Sequence, residues 1–228
     1  IAAASKYYEV PGLCKKLQIS HLEIHCDPTT DPIKPLLTEA GTSNVCGGLL
    51  PSFSAYVKSR PTGIVGDVTH LYHGHSFTGT STVGCAYVGS LCDANGYSAG
   101  VNELTFTSSL SLQSKLIAHE TGHTCSAGHA GDQHDVMYPT IGGSYNLAFG
   151  QSSKDSINSK VDSTIAPQLE PPDLVSSQQS DDESYPSTHC NSDSTCSHWD
   201  SNRGAYASAH CNSDSTCSHW ESNRGPYT

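Results

Sequence analysis

Basic side chains are scarce in this 228-residue chain: Lys and Arg together number 11 against 22 Asp and Glu, for a formal net charge of -11. That balance disfavours nucleic acid and anionic membrane surfaces as partners, since both demand clustered cations. No stretch approaches the roughly 18 consecutive apolar residues of a membrane-spanning helix. The first residues, IAAASKYYEV, lack the basic start and apolar run of a signal peptide, so the chain reads as a mature product or a fragment. Methionine occurs once, at Met137, whereas cysteine occurs ten times. With Ser, Thr, Gly and Asn abundant, ten cysteines imply an oxidising compartment, and the expectation is a secreted, extracellular protein with disulfides.

Residues 1–166 mix apolar runs with turn signals and read as one folded domain. LQISHLEIHC, from Leu17 to Cys26, alternates apolar and polar residues and predicts a strand; STVGCAYVGSLC, from Ser81 to Cys92, predicts a second. SLSLQSKLIAHETGHTC predicts a helix with Leu112, Leu116 and Ile117 on its apolar face and Ser109 or Ser111 as its cap. Beyond Pro167 the composition shifts to Pro, Ser, Gln and an acidic cluster at Asp181, Asp182 and Glu183, so residues 167–188 are expected to be a linker. Residues 189–228 hold a tandem repeat, HCNSDSTCSHWDSNRGAY and HCNSDSTCSHWESNRGPY, expected to form a largely disordered tail.

The chemistry concentrates in HETGHTCSAGH. On a helix, His119 and His123 project from one face a turn apart, the separation that lets two imidazoles share one tetrahedral ion. Glu120 lies beside the ion's position and suits the general-base role in metal-assisted peptide hydrolysis. His129, six residues past His123, requires the chain to leave the helix and turn back with a third ligand, which leaves one coordination position open, as catalytic zinc requires. Eight residues later comes Met137 in DVMYP, a methionine turn that floors such a site.

HETGHTCSAGHAGDQHDVMYP resembles the metzincin signature, and GDVTHLYHGHSFTGTSTVGCAYVGSLCDANGYSAGVNE is similar to the adamalysin/reprolysin (ADAM-type) branch of that family, the resemblance covering roughly residues 15–165. The resemblance implies an α/β, zincin-like fold: a mixed twisted sheet, an active-site helix and a small irregular C-terminal subdomain. It implies one catalytic zinc held by His119, His123 and His129, with Glu120 as general base to a zinc-activated water, and hydrolysis of protein or peptide substrates. It places Gly84, Cys85 and Ala86 on the strand that pairs with substrate, and Pro139, Thr140 and Ile141 at the wall of the pocket for the residue after the scissile bond. Calcium is a further ion that nothing in the sequence indicates.

The sequence departs from the pattern in places. Ser126 stands where the family has the glycine that ends the zinc helix, with Gly128 two residues on as the other place for the turn, and Ala130 where this branch has Asp, with Asp132 or Asp135 as substitutes. The family's first strand and helix have no counterpart before SKYYEVPGLCKKLQIS. No cysteine lies between Cys125 and Cys190, so Cys92 lacks its family partner; Cys85 and Cys125 are candidates, while Cys14, Cys26 and Cys46 are candidates to pair among themselves. His70, His73 and His75 are a weak candidate for a second metal, and His134 for the third zinc ligand. In the repeats, Cys190 with Cys196 and Cys211 with Cys217 suit small disulfide loops, and Trp199 and Trp220 are candidate anchors for an extracellular partner or a glycan. From another class comes the alternative of a non-catalytic adhesion protein on a degenerate metzincin scaffold.

Overall fold

The structure is a computed structural model that describes residues 1–25, 29, 31–37, 43–60, 66–74, 76–145 and 147–165, and two short strands at 195–197 and 208–210. Its helices are α1 (Ala2–Ser5), α2 (Leu50–Ser59), α3 (Leu110–Thr124) and α4 (Gln151–Ile165); its main strands are β1 (Thr69–His73), β2 (Gly84–Ala86) and β3 (Ala99–Glu103). The sheet runs β1-β3-β2, with β1 parallel and β2 antiparallel to β3. This mixed α/β arrangement fits the zincin-like fold expected from sequence. In the repeats, Thr195–Ser197 pairs antiparallel with Ser208–His210; the 167–188 linker and the rest of the tail lie outside the described residues.

Strand register decides what faces the functional helix. Gly84 opposes Asn102, and both Ala86 and His70 oppose Gly100, so these residues share one face of the pleat. That face meets α3: a Cβ on Gly84 would lie 2.8 Å from Leu116 and 2.5 Å from Glu120. The other face turns Val101 into a cluster with Leu50, Phe53 and Val57 of α2. Cys85 points the same way and is disulfide-bonded to Cys46, just before α2. A Cys46 partnership with Cys14 or Cys26 is therefore corrected, because the pleat aims Cys85 at Cys46 and away from Cys92. Cys14 is also disulfide-bonded. Cys92 and Cys125 remain thiols, with the Cys92 thiol 3.3 Å from Asp67 Oδ1.

A second core holds α3 against the chain's start and end. Tyr8, Ile117, Ala118, Val136, Met137, Phe149 and Ile157 pack together in it, and the buried Tyr8 hydroxyl donates to the Ala118 carbonyl at 2.8 Å. α4 clamps the N-terminal segment through Lys15 to Asp162 at 3.1 Å, Lys154 to the Pro11 carbonyl and Asn158 to the Gly12 carbonyl.

Both strand expectations need correction. Residues 17–25 form no strand, and Ile19, Leu22 and Ile24 are exposed. An alternating segment needs a neighbour to pair with, and here an open cleft separates it from β1. Residues 81–92 contribute only the three residues of β2, since Gly89 at φ +70° and Cys92 at φ +60° turn the chain out of extended conformation.

His70 carries a pH prediction. Burial pushes its imidazole down to about 4, and Asn102 Nδ2 contacts its Nδ1 at 2.9 Å. The folded chain holds this ring neutral while the unfolded chain protonates it near 6.5. Its contribution is therefore intact above about pH 6.5 and is lost as pH falls toward 4. Urea unfolding at pH 7.5 and pH 5 should show a smaller stability difference in His70→Gln than in the parent.

Candidate metal centre

Helix α3 starts at Ser109, whose hydroxyl accepts from the Leu112 amide. From Ser114 to Thr124 every residue is buried, so the segment holds its shape by packing rather than by a polar outer face. It ends in a Schellman motif: the Ala127 amide donates to the Gly122 carbonyl and the Ser126 amide to the His123 carbonyl, each at 2.9 Å. Ser126 adopts φ +73°, so the missing glycine is answered by a serine held in the left-handed region, and the turn does not shift to Gly128. A Cβ there costs about 1 kcal/mol. Ser126→Gly should raise unfolding free energy by roughly that amount in urea titration.

The turn brings three imidazoles together. His123 Nε2 lies 3.1 Å from His119 Nε2 and 3.2 Å from His129 Nε2, and one nitrogen from each falls within a 4.8 Å group. Zinc–nitrogen bonds of about 2.0–2.1 Å at tetrahedral angles put ligand nitrogens roughly 3.3–3.4 Å apart. The residues present thus fit that ion. Proton placement gives the same answer: His119 Nδ1 faces the Val136 carbonyl and His123 Nδ1 the Ala127 carbonyl, each at 2.8 Å. A carbonyl only accepts, so each Nδ1 carries the proton and each Nε2 offers a lone pair. Converging lone pairs repel unless a cation sits among them. Burial, with His123 beside it, pushes His119 down to about 3, and burial also lowers His123, so both rings stay neutral donors. His129, the exposed member, opens the group to solvent.

Glu120 is 3 % exposed, and its Oε2 has no hydrogen-bond partner. Burial pushes its carboxyl up to about 8; a cation at the neighbouring nitrogens favours the charged form again. Gly84 roofs this carboxyl, leaving room that any Cβ would fill. β2 is one of the two outer strands, so among the described residues Gly84, Cys85 and Ala86 lie on an unpaired sheet edge beside Glu120.

Met137 is fully buried, and its sulfur fills the space that a Cβ on Gly122 would enter, at 2.5 Å. Asp135 fixes the turn, accepting from the Met137 amide at 2.9 Å and the Ser153 hydroxyl at 2.7 Å. The Ala130 amide donates to the Met137 carbonyl at 2.9 Å, tying the His129 segment to the methionine turn. Alanine in place of a mid-helix glycine usually gains about 1 kcal/mol. Here overpacking against Met137 and Phe149 should outweigh it, so Gly122→Ala is expected to lose about 1–3 kcal/mol by thermal unfolding.

A family model described as metallo-peptidase family M12 matches residues 1–159. The chain belongs to that family. A search of curated proteins gives no match. Membership makes this M12 chain a metallopeptidase of a zinc-dependent family that acts on proteins, and no helix among its described residues is long and apolar enough to cross a membrane.

Other candidates in this M12 chain do not assemble into sites. His134 is exposed and paired with Asp132 at 3.0 Å, apart from the three ring nitrogens. His70 bonds Asn102 and His73 stacks on Phe77, while His75 lies outside the described residues. Pro139 and Thr140 are exposed and Ile141 half-buried, directly after Met137. Of the two aspartates offered as substitutes for the one absent at Ala130, Asp135 braces the methionine turn and Asp132 pairs with the exposed His134; sequence reasoning missed Lys115, a buried lysine on α3. The signal for Lys115 was present: a cation four residues before His119, on the helix face that carries His119 and His123.

Proposed function

We propose that the chain is a secreted zinc endopeptidase of the adamalysin/reprolysin branch, with His119, His123 and His129 as ligands and Glu120 as general base. The observation that carries this reading is the convergence of neutral imidazole lone pairs beside a buried carboxylate with an unpartnered oxygen. When bound, zinc would polarise the scissile carbonyl and lower the pKa of water. An extended substrate pairs its backbone with the free edge of β2 at Gly84, Cys85 and Ala86. The glycine keeps that edge within reach of the Glu120 carboxylate, which takes the attacking water's proton and delivers it to the leaving amine. Met137 floors the ligand pair, and Pro139, Thr140 and Ile141 wall the pocket for the residue after the scissile bond.

Secretion is supported by the ten cysteines and the Cys46–Cys85 bond. The repeats, with Trp199 and Trp220, supply an attachment to an extracellular partner or glycan outside the catalytic unit. The adhesion alternative drew on Ser126, the missing partner of Cys92 and the short N-terminus, and the left-handed conformation of Ser126 answers the first of these. Digestion of unfolded proteins by purified chain decides the matter: cleavage should stop with chelator and return with zinc. A zinc-loaded sample that cleaves nothing, yet binds a partner through residues 167–228, would establish the adhesion reading instead.

A further inference from the structure

Lys115 is 4 % exposed, and its ammonium donates to two backbone carbonyls, of Gly142 at 3.0 Å and of Tyr145. A cation buried this deeply is costly unless its protons are taken up. Here the acceptors belong to one short segment, that which follows Met137. The segment leaves the methionine turn beneath Gly122 and is caught again at Lys115, seven residues back, or about 10 Å along the helix. Lys115 and His119 share a face at i, i+4 spacing. Residues 138–142 therefore run alongside the ligand-bearing face of α3, pinned at both ends. The aromatic rings close the unit: Tyr138 and Tyr145 meet at 5.9 Å, and a Cβ on Gly142 would lie 2.6 Å from the Tyr145 ring.

We propose that Lys115 is a specificity-positioning residue: by gathering the Gly142 and Tyr145 carbonyls it holds Pro139, Thr140 and Ile141 in place and so sets which residue is accepted after the scissile bond. This rests on the peptidase reading above. The ammonium is turned into the loop and spends its charge on backbone oxygens, so it shapes the wall without touching substrate. Without it, two converging carbonyl oxygens lose the ammonium they share and the loop opens to let water replace it.

The test replaces Lys115 with methionine, which keeps most of the stem and removes the donors. Hydrogen exchange in residues 138–145 should rise at least about tenfold, with α3 and zinc content unchanged. Cleavage-site profiling on a peptide library should then show a flatter preference at the residue after the scissile bond and no change at other positions, with KM affected more than kcat. Gly142→Val drives the Tyr145 ring aside while leaving Lys115 intact, and should give the same change at the same position. Unaltered exchange, or unaltered preference in a variant whose loop has opened, would overturn the specificity role alone. A parent protein that binds zinc and cleaves nothing overturns the peptidase reading and this role together.

Discussion

Glu120→Gln lowers kcat/KM on an unfolded protein substrate by roughly 10²- to 10⁴-fold, the usual weight of a general base, while zinc content stays at one per chain. Glutamine has the same shape and keeps an oxygen in the pocket under Gly84, so the helix, its Schellman turn and the three imidazoles stay as they are. What it lacks is a carboxylate that accepts a proton where Oε2 now stands unpartnered. Equal metal content with collapsed turnover separates a lost base from a lost site. Zinc titration and steady-state kinetics on the same preparation check it. If turnover falls less than about tenfold, another group is the base.

His123→Ala has the opposite signature. His123 Nε2 sits between the other two imidazole nitrogens, at 3.1 and 3.2 Å, so its removal should leave a pair too sparse to hold the ion. Zinc affinity should fall by more than the roughly 10- to 100-fold that loss of an outer hydrogen bond costs. Activity should vanish with it. The parent chain gains stability from binding, about 4 kcal/mol when free zinc is a thousandfold above Kd, and the variant should gain almost none. Thermal unfolding with and without added zinc makes the comparison. A His123→Ala chain that zinc stabilises as strongly as the parent would move the metal elsewhere.

The parts legible in the sequence were those fixed by local geometry. Helix α3 and the i, i+4 histidines follow from spacing along one helix, whereas the choice of Ser109 over Ser111 as cap and of Ser126 over Gly128 for the turn came only with the structure. Long-range pairing was not legible. Residues 17–25 carry a strand's alternation, but alternation does not supply a neighbour, and the segment lies beside a cleft with Ile19, Leu22 and Ile24 exposed. Cys85 found Cys46 because the pleat turned it toward α2, a fact of register that cysteine spacing does not contain. Lys115 looks like an ordinary charged residue until the segment after Met137 folds over it. Its role exists only in the tertiary contact.

Zinc-edge X-ray absorption of the intact chain tests directly whether one zinc sits among His119, His123 and His129. The spectrum should show one zinc per chain with only light scatterers at about 2.0–2.1 Å, three of them imidazole nitrogens, and loss of that imidazole signal in His123→Ala. Sulfur at about 2.3 Å with an unchanged spectrum in His123→Ala would contradict it, placing the metal on cysteines such as those of the repeats.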